Sequence, residues 1–172
     1  MNVLFVCTGN ICRSPTAERL AAAHPVEQGL TQLHTSSSGT RAVIDHPIHP
    51  DAARVLEHLG GNPTNFAARQ LTPKIAAAAD LILTMTRAHR DAVLELAPQK
   101  LHRTFTLAEA SRLISEHRVR AVADLAAKRS LLTADDSLDI PDPIGQSPEV
   151  FAEIGSQIAH LLPPILEVCQ SE

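Results

Sequence analysis

The chain has 172 residues, 44% of them hydrophobic, with 15 Lys and Arg against 19 Asp and Glu for a formal charge of −4. That length suits one domain, 1–172, with a real core, and a mildly acidic chain without a basic tail argues against nucleic acid as a partner. No apolar run approaches a membrane span, no secretory signal is seen at the start, and 3 Cys suit a reducing compartment better than a disulfide scaffold, so a cytoplasmic protein without membrane contact is expected; a monomer is expected too, though none of these features fixes the oligomeric state.

In chain order, Asn2–Val6 reads as a buried strand, since Val3, Leu4, Phe5 and Val6 form an unbroken apolar run. A tight loop follows, and Ser14 and Pro15 fit the N-cap and first turn of a helix reaching about Ala23. Pro25 to Leu33 is a polar connection, Leu33–Ser38 a second strand, and Gly39 to Pro50 a loop. Asp51 to Leu59 is a helix with Ala52, Val55, Leu56 and Leu59 on one face, stopped by Gly60 and Gly61. Phe66 to Thr72 is extended, Pro73 to Ala79 a short helix, and Asp80–Met85 a buried strand. Arg87 to Leu96 is a helix ended by Pro98, and Leu101–Thr106 a fourth strand. Thr104 or Thr106 caps a helix over Leu107–Ile114, which the alanine-rich stretch Ser115–Ala134 extends or repeats. After a loop over Asp135–Gln146, Ser147 caps a final helix from Pro148, which Pro163 and Pro164 must kink or restart. Strands alternating with helices predict an open parallel α/β sheet covered on both faces, with ligands at the carboxyl ends of the strands.

The chemistry concentrates where the first strand ends, at Cys7-Thr8-Gly9-Asn10-Ile11-Cys12-Arg13-Ser14. No proline lies between Thr8 and Ser14, so every backbone N–H there can turn inward. Gly9 permits close backbone approach, and Asn10 tolerates the left-handed conformation that a tight loop needs. A curl of N–H groups at a helix N-terminus is an anion site, and Arg13 adds a planar fork for two phosphate oxygens. The same positive field favours the thiolate of Cys7, a nucleophile placed beneath a bound phosphoryl group, and the Ser14 hydroxyl can donate to it. Near the other end, Asp139 and Asp142 are both candidates for a general acid; Pro141 and Pro143 stiffen the backbone around Asp142.

Cys7 to Glu18, read CTGNICRSPTAE, resembles the phosphate loop of the low-molecular-weight protein tyrosine phosphatase family. The resemblance runs on through Ser38-Gly39-Thr40, Ala68-Arg69-Gln70-Leu71-Thr72 and Ala79 to Met85, and ends at Asp139-Ile140-Pro141-Asp142-Pro143. It implies a four-stranded sheet of order 2-1-3-4, with the phosphate loop after the first strand. It implies a phosphocysteine on Cys7, a phosphate clamp at Arg13 and backbone contacts from Thr8, Gly9, Asn10, Ile11, Cys12 and Ser14. It places the general acid at Asp142, because family members have Asp directly before Pro. The substrate is then a phosphorylated protein and the product inorganic phosphate, with no cofactor and no metal. Cys12 shares the loop, where a second thiol can capture an oxidised Cys7 as a disulfide.

The chain departs from that family in having no Tyr and no Trp. Members acting on phosphotyrosine usually carry an aromatic residue after the Asp-Pro pair and another after the second strand. Here those places hold Ile144 and the run Arg41-Ala42-Val43-Ile44, while Phe66 replaces a histidine often found before the Ala-Arg-Gln motif. Ile11 resembles tyrosine-directed members, whereas the branch acting on phosphoarginine carries Thr there; Thr84-Met85-Thr86 resembles that second branch. Phosphotyrosine is the expected substrate and phosphoarginine the alternative. Arsenate reductase chemistry needs two further cysteines and only Cys169 lies outside the loop, and a non-catalytic anion-binding module would not require Cys7, Arg13 and an Asp-Pro pair together. His46-Pro47-Ile48-His49 spaces two histidines three apart, but its proline argues against a helical metal pair, and the nine histidines read as surface residues. Cys169 reads as a half-buried residue of the last helix.

Overall fold

The computed structural model describes residues 1–25, 33–132 and 138–171. Asp135, Asp136 and most of the connection from Pro25 to Leu33 lie outside the described residues. Strands β1 (Asn2–Cys7), β2 (His34–Gly39), β3 (Leu81–Thr84) and β4 (Thr104–Thr106) form a parallel sheet of order β2-β1-β3-β4. This is the expected sheet. Its register aligns Cys7 with Gly39, Val6 with Thr84 and Thr84 with Thr106, so the strands end along one edge.

Successive side chains of a strand point to opposite faces, and β1 uses both. Val3, Phe5 and Cys7 join Leu83 and Phe105 in the larger core beneath α1 (Arg13–Ala23), α5 (Leu107–His117) and α7 (Pro148–Gln170). Leu4, Val6 and Ile82 face Ala76 of α3 (Pro73–Ala78) and Val93 of α4 (Arg87–Leu96). A smaller cluster joins Cys12 to Ile48, Phe151 and the Ala52–Leu56 face of α2 (Pro50–His58), which supports the loop after β1 from below.

Three elements differ from the sequence expectations. The fourth strand is only three residues long, because Pro98–Arg103 forms a 3₁₀ turn with Leu101 exposed. Past His117 the helix does not continue: Arg118 adopts a left-handed conformation with φ 54°, and short turns, including α6 (Leu125–Lys128), fold back. That segment buries Val119, Val122 and Leu125, and Arg129 donates from Nη2 to the Thr104 carbonyl while stacking 4.1 Å over Phe105. Edge-strand groups of β4 are thereby covered. Finally, α7 runs unbroken through Pro163 and Pro164. An interior proline costs about 3 kcal/mol, but burying Leu162, Ile165 and Leu166 returns about 1.5–3 kcal/mol each. Cys169 is fully buried in that helix, not half-buried.

Gly39 sits where β2 presses on the loop after β1, and a Cβ there would lie 2.4 Å from the Thr8 carbonyl oxygen. Gly39→Ala is expected to cost about 1–3 kcal/mol in urea denaturation, the range for an overpacked site, and to weaken orthovanadate binding. An unchanged midpoint would show that the two segments separate freely.

Candidate active site

Cys7 is the last residue of β1 and is buried as a free thiol, 3.0 Å from the Ser14 hydroxyl. Ser14 does not cap its helix. The helix begins one residue earlier, with Cys12 at the N-cap and no side chain capping it, so the first turn stays open toward the pocket. Ser14 Oγ accepts from Asn10 Nδ2 at 2.9 Å, which leaves its own hydrogen to donate to the Cys7 sulfur.

The peptide groups of the loop are sorted by direction. The carbonyls of Cys7, Thr8, Gly9 and Ile11 accept from the N–H groups of Thr40, Arg41, Val43 and His49, at 2.7–3.0 Å. The Cys12 carbonyl accepts from Thr16. By contrast, no N–H from Thr8 to Cys12 has a protein acceptor among the described residues. With five carbonyls of one loop engaged on the outside, Asn10 alone adding none among the described residues, the loop presents its hydrogens on the inside.

Asn10 holds this arrangement. It is fully buried at φ 56°, in the left-handed region the sequence suggested. Its two amide hydrogens go to Ser14 Oγ and Ser37 Oγ, and its oxygen accepts from Arg69 N–H at 2.9 Å. Ser37 in turn donates to Glu18, and Arg69 Nε donates to the Ser37 carbonyl. Gln70 bridges Thr40 O and Ala42 N–H, fixing the segment that receives the loop carbonyls.

Arg13 is 4% exposed. Nη1 donates to the Ile140 carbonyl at 2.9 Å and Nη2 pairs with Asp142 Oδ2 at 2.8 Å, while Nε–H is buried without a protein partner among the described residues. Ile140 N–H binds the Met85 carbonyl, which ties the Asp-Pro segment to the end of β3. Asp142 therefore lines the pocket with its carboxylate about half exposed. Asp139 points elsewhere: its carboxylate accepts from Arg87 N–H at 2.7 Å, at the start of α4. The structure thus separates two carboxylates that the residues alone left equivalent.

Cys7, Thr8, Cys12, Arg13 and Asp142 share a pocket of about 240 Å³, with Ile11, Val43, Ile144 and Arg41 around its mouth. Clefts of about 580 and 650 Å³ lie elsewhere, between α5 and α7 and beside β2, so chemistry and not size singles out this one. Burial, then the neighbouring charge of Cys7, pushes the Cys12 thiol up to about 12, so it stays protonated at neutral pH.

One histidine contradicts the expectation of surface residues. His89 is buried on α4, with Nε2 2.8 Å from Thr8 Oγ1 and Nδ1 3.0 Å from Thr86 Oγ1. Burial, followed by the Arg13 charge, lowers its pKa to about 4. The sequence signal was a Thr three residues before a His at a helix start, which is ordinary capping spacing and carried no hint of the loop 81 residues away. His49, from the pair weighed as metal ligands, accepts from Asp51 N–H through Nδ1 and stacks on Phe151 at 4.9 Å.

Comparison with known proteins agrees with this geometry. The family model described as low molecular weight phosphotyrosine protein phosphatase matches residues 2–172. The chain is 31% identical over 152 residues to a putative low molecular weight protein-tyrosine-phosphatase of Klebsiella pneumoniae, spanning 88% of this chain and 85% of that one. Among solved structures, the low molecular weight protein tyrosine phosphatase from T. tengcongensis superposes with a TM-score of 0.77 at 27% identity, covering 97% of this chain and 98% of the other. The YwlE arginine phosphatase from Geobacillus stearothermophilus gives 0.75 at 28% identity, covering 98% and 92%. A matched family model over nearly the whole chain, on a sheet of the expected order with the loop at its carboxyl edge, shows that this chain belongs to the low molecular weight phosphotyrosine protein phosphatase family.

Proposed function

We propose that this enzyme hydrolyses phosphotyrosine monoesters in proteins, through a phosphocysteine on Cys7. The observation that carries the reading is the run of N–H groups from Thr8 to Cys12 left without acceptors among the described residues, beside a buried guanidinium whose Nε–H has none there either. Such donors suit the equatorial oxygens of a phosphoryl group in transfer. Cys7 sulfur attacks phosphorus as the ester P–O bond breaks, and Asp142 gives its proton to the leaving oxygen. Water then loses a proton to Asp142 and attacks phosphorus, the P–S bond breaks, and inorganic phosphate leaves. Ser14 donates to the Cys7 sulfur when the thiolate departs. The protein acts as a monomer on a phosphorylated protein partner, in the cytoplasm, where its three free cysteines stay reduced.

The pocket walls bear on the leaving group. Val43 and Ile144 are exposed aliphatic residues at the mouth, so they contact an aromatic ring without the stacking that aromatic walls supply, about 0.5–1.5 kcal/mol per pair. Ile11 has no hydroxyl with which to orient water against a P–N bond. The stretch Thr84-Met85-Thr86, which resembles the phosphoarginine branch, has structural duties here. Thr84 Oγ1 donates to the Thr86 carbonyl, Thr86 caps α4, and Met85 is buried.

Cys7→Ser is expected to keep binding orthovanadate while losing turnover of p-nitrophenyl phosphate, because the cradle stays and the nucleophile does not. Turnover retained in that variant would remove Cys7 from the mechanism. Asp142→Ala should slow poor leaving groups by about 10²–10⁴, with a smaller loss for those that depart unprotonated. If Asp139→Ala gives that pattern instead, the acid is misassigned. On substrate, kcat/KM is expected to be higher for phosphotyrosine peptides than for phosphoarginine peptides, with a high KM, and Ile11→Thr should move the ratio toward phosphoarginine. A wild-type enzyme clearing phosphoarginine faster would transfer the activity to that class.

A further inference from the structure

His89 has no place in the steps above, yet it is a buried titratable side chain with both ring nitrogens engaged beside the phosphate loop. Its bonds can be given directions. Thr86 Oγ1 already accepts from His89 N–H as the cap of α4. Among the described residues, the acceptor left for the Thr86 hydroxyl hydrogen is His89 Nδ1, 3.0 Å away. If Nδ1 accepts, the single ring hydrogen of a neutral imidazole sits on Nε2 and points to Thr8 Oγ1 at 2.8 Å. Burial and the Arg13 charge keep the ring neutral. The Thr8 oxygen is then held as an acceptor. Its own hydrogen has no other protein partner among the described residues, and Thr8 lines the pocket with Cys7 and Arg13.

We propose that His89 is a positioning residue: as the Nε2–H tautomer it grips the Thr8 hydroxyl by its oxygen, so that the hydroxyl hydrogen donates to a phosphoryl oxygen in the pocket. The loop then offers a side-chain donor besides its backbone donors, set by a residue on a different helix. A direct bond from Nε2 to the substrate is not needed, and the reverse tautomer would consume the Thr8 hydrogen on the ring. The inference rests on the phosphatase reading and adds to it the group that orients Thr8.

The test combines kinetics with tautomer assignment. Thr8→Val and His89→Phe are each expected to lower kcat/KM for p-nitrophenyl phosphate and affinity for orthovanadate by about tenfold, the scale of one hydrogen bond to a charged group. The double variant should lose no more than the Thr8→Val single, because His89 acts through Thr8. His89→Gln, whose amide can donate in place of Nε2–H, should recover part of the loss. In the wild-type protein, ¹⁵N NMR of the imidazole should show hydrogen on Nε2 and a bare Nδ1. Multiplying losses in the double variant, or an Nδ1–H ring, overturns the proposal; the NMR result decides it even where a variant fails to fold. A wild-type protein inert toward p-nitrophenyl phosphate would instead overturn the phosphatase reading, and this proposal with it.

Discussion

The site depends on one constraint: the peptide groups between Cys7 and Cys12 must all turn the same way. A free loop in water has no reason to do so. Here the segment after β2 supplies a donor for each of four outward carbonyls, those of Cys7, Thr8, Gly9 and Ile11, so turning any of those four peptides over would break a bond and leave a polar group unsatisfied. Each such loss costs about 1–3 kcal/mol, while the inward N–H groups keep their capacity for a ligand. Binding a phosphoryl group then requires little reorganisation, which is the condition under which fixed dipoles are most effective.

Asn10 and Gly39 make that constraint possible for different reasons. Asn10 accepts the left-handed backbone and commits both amide hydrogens and its oxygen to Ser14, Ser37 and Arg69. Gly39 lets the β2 backbone approach the Thr8 carbonyl at a distance that no Cβ would permit. Behind them, Cys12 packs with Ile48, Ala52, Leu56 and Phe151, so the loop rests on a core of its own between α2 and α7.

Arg13 joins the two ends of the chemistry. One of its donors reaches the Ile140 carbonyl and another the Asp142 carboxylate, so the same guanidinium that faces the phosphate cradle also orients the Asp-Pro segment. Asp142 is paired with Arg13, whose Nε–H is a buried donor left without a protein partner among the described residues. The mouth above is aliphatic, with Val43 and Ile144 exposed, and carries Arg41.

Much of this was legible in the residues. The apolar run before Cys7, the glycine and asparagine inside the loop and the helix signal at Ser14 and Pro15 pointed to an anion site at a strand end, because each answers a local rule of backbone geometry. The parallel α/β class followed from alternation, and the 2-1-3-4 order from the family resemblance. Only the tertiary structure decided what depends on residues far apart in sequence. It sent Asp142 to Arg13 and Asp139 to Arg87, a choice made by Ile140 binding the end of β3. It let α7 pass through two prolines because burial outweighs two missing hydrogen bonds. It shortened β4 and laid residues 118–132 over its edge. And it brought His89 to Thr8 across 81 residues, since a helix start records its own cap in the sequence but not the loop on which it comes to rest.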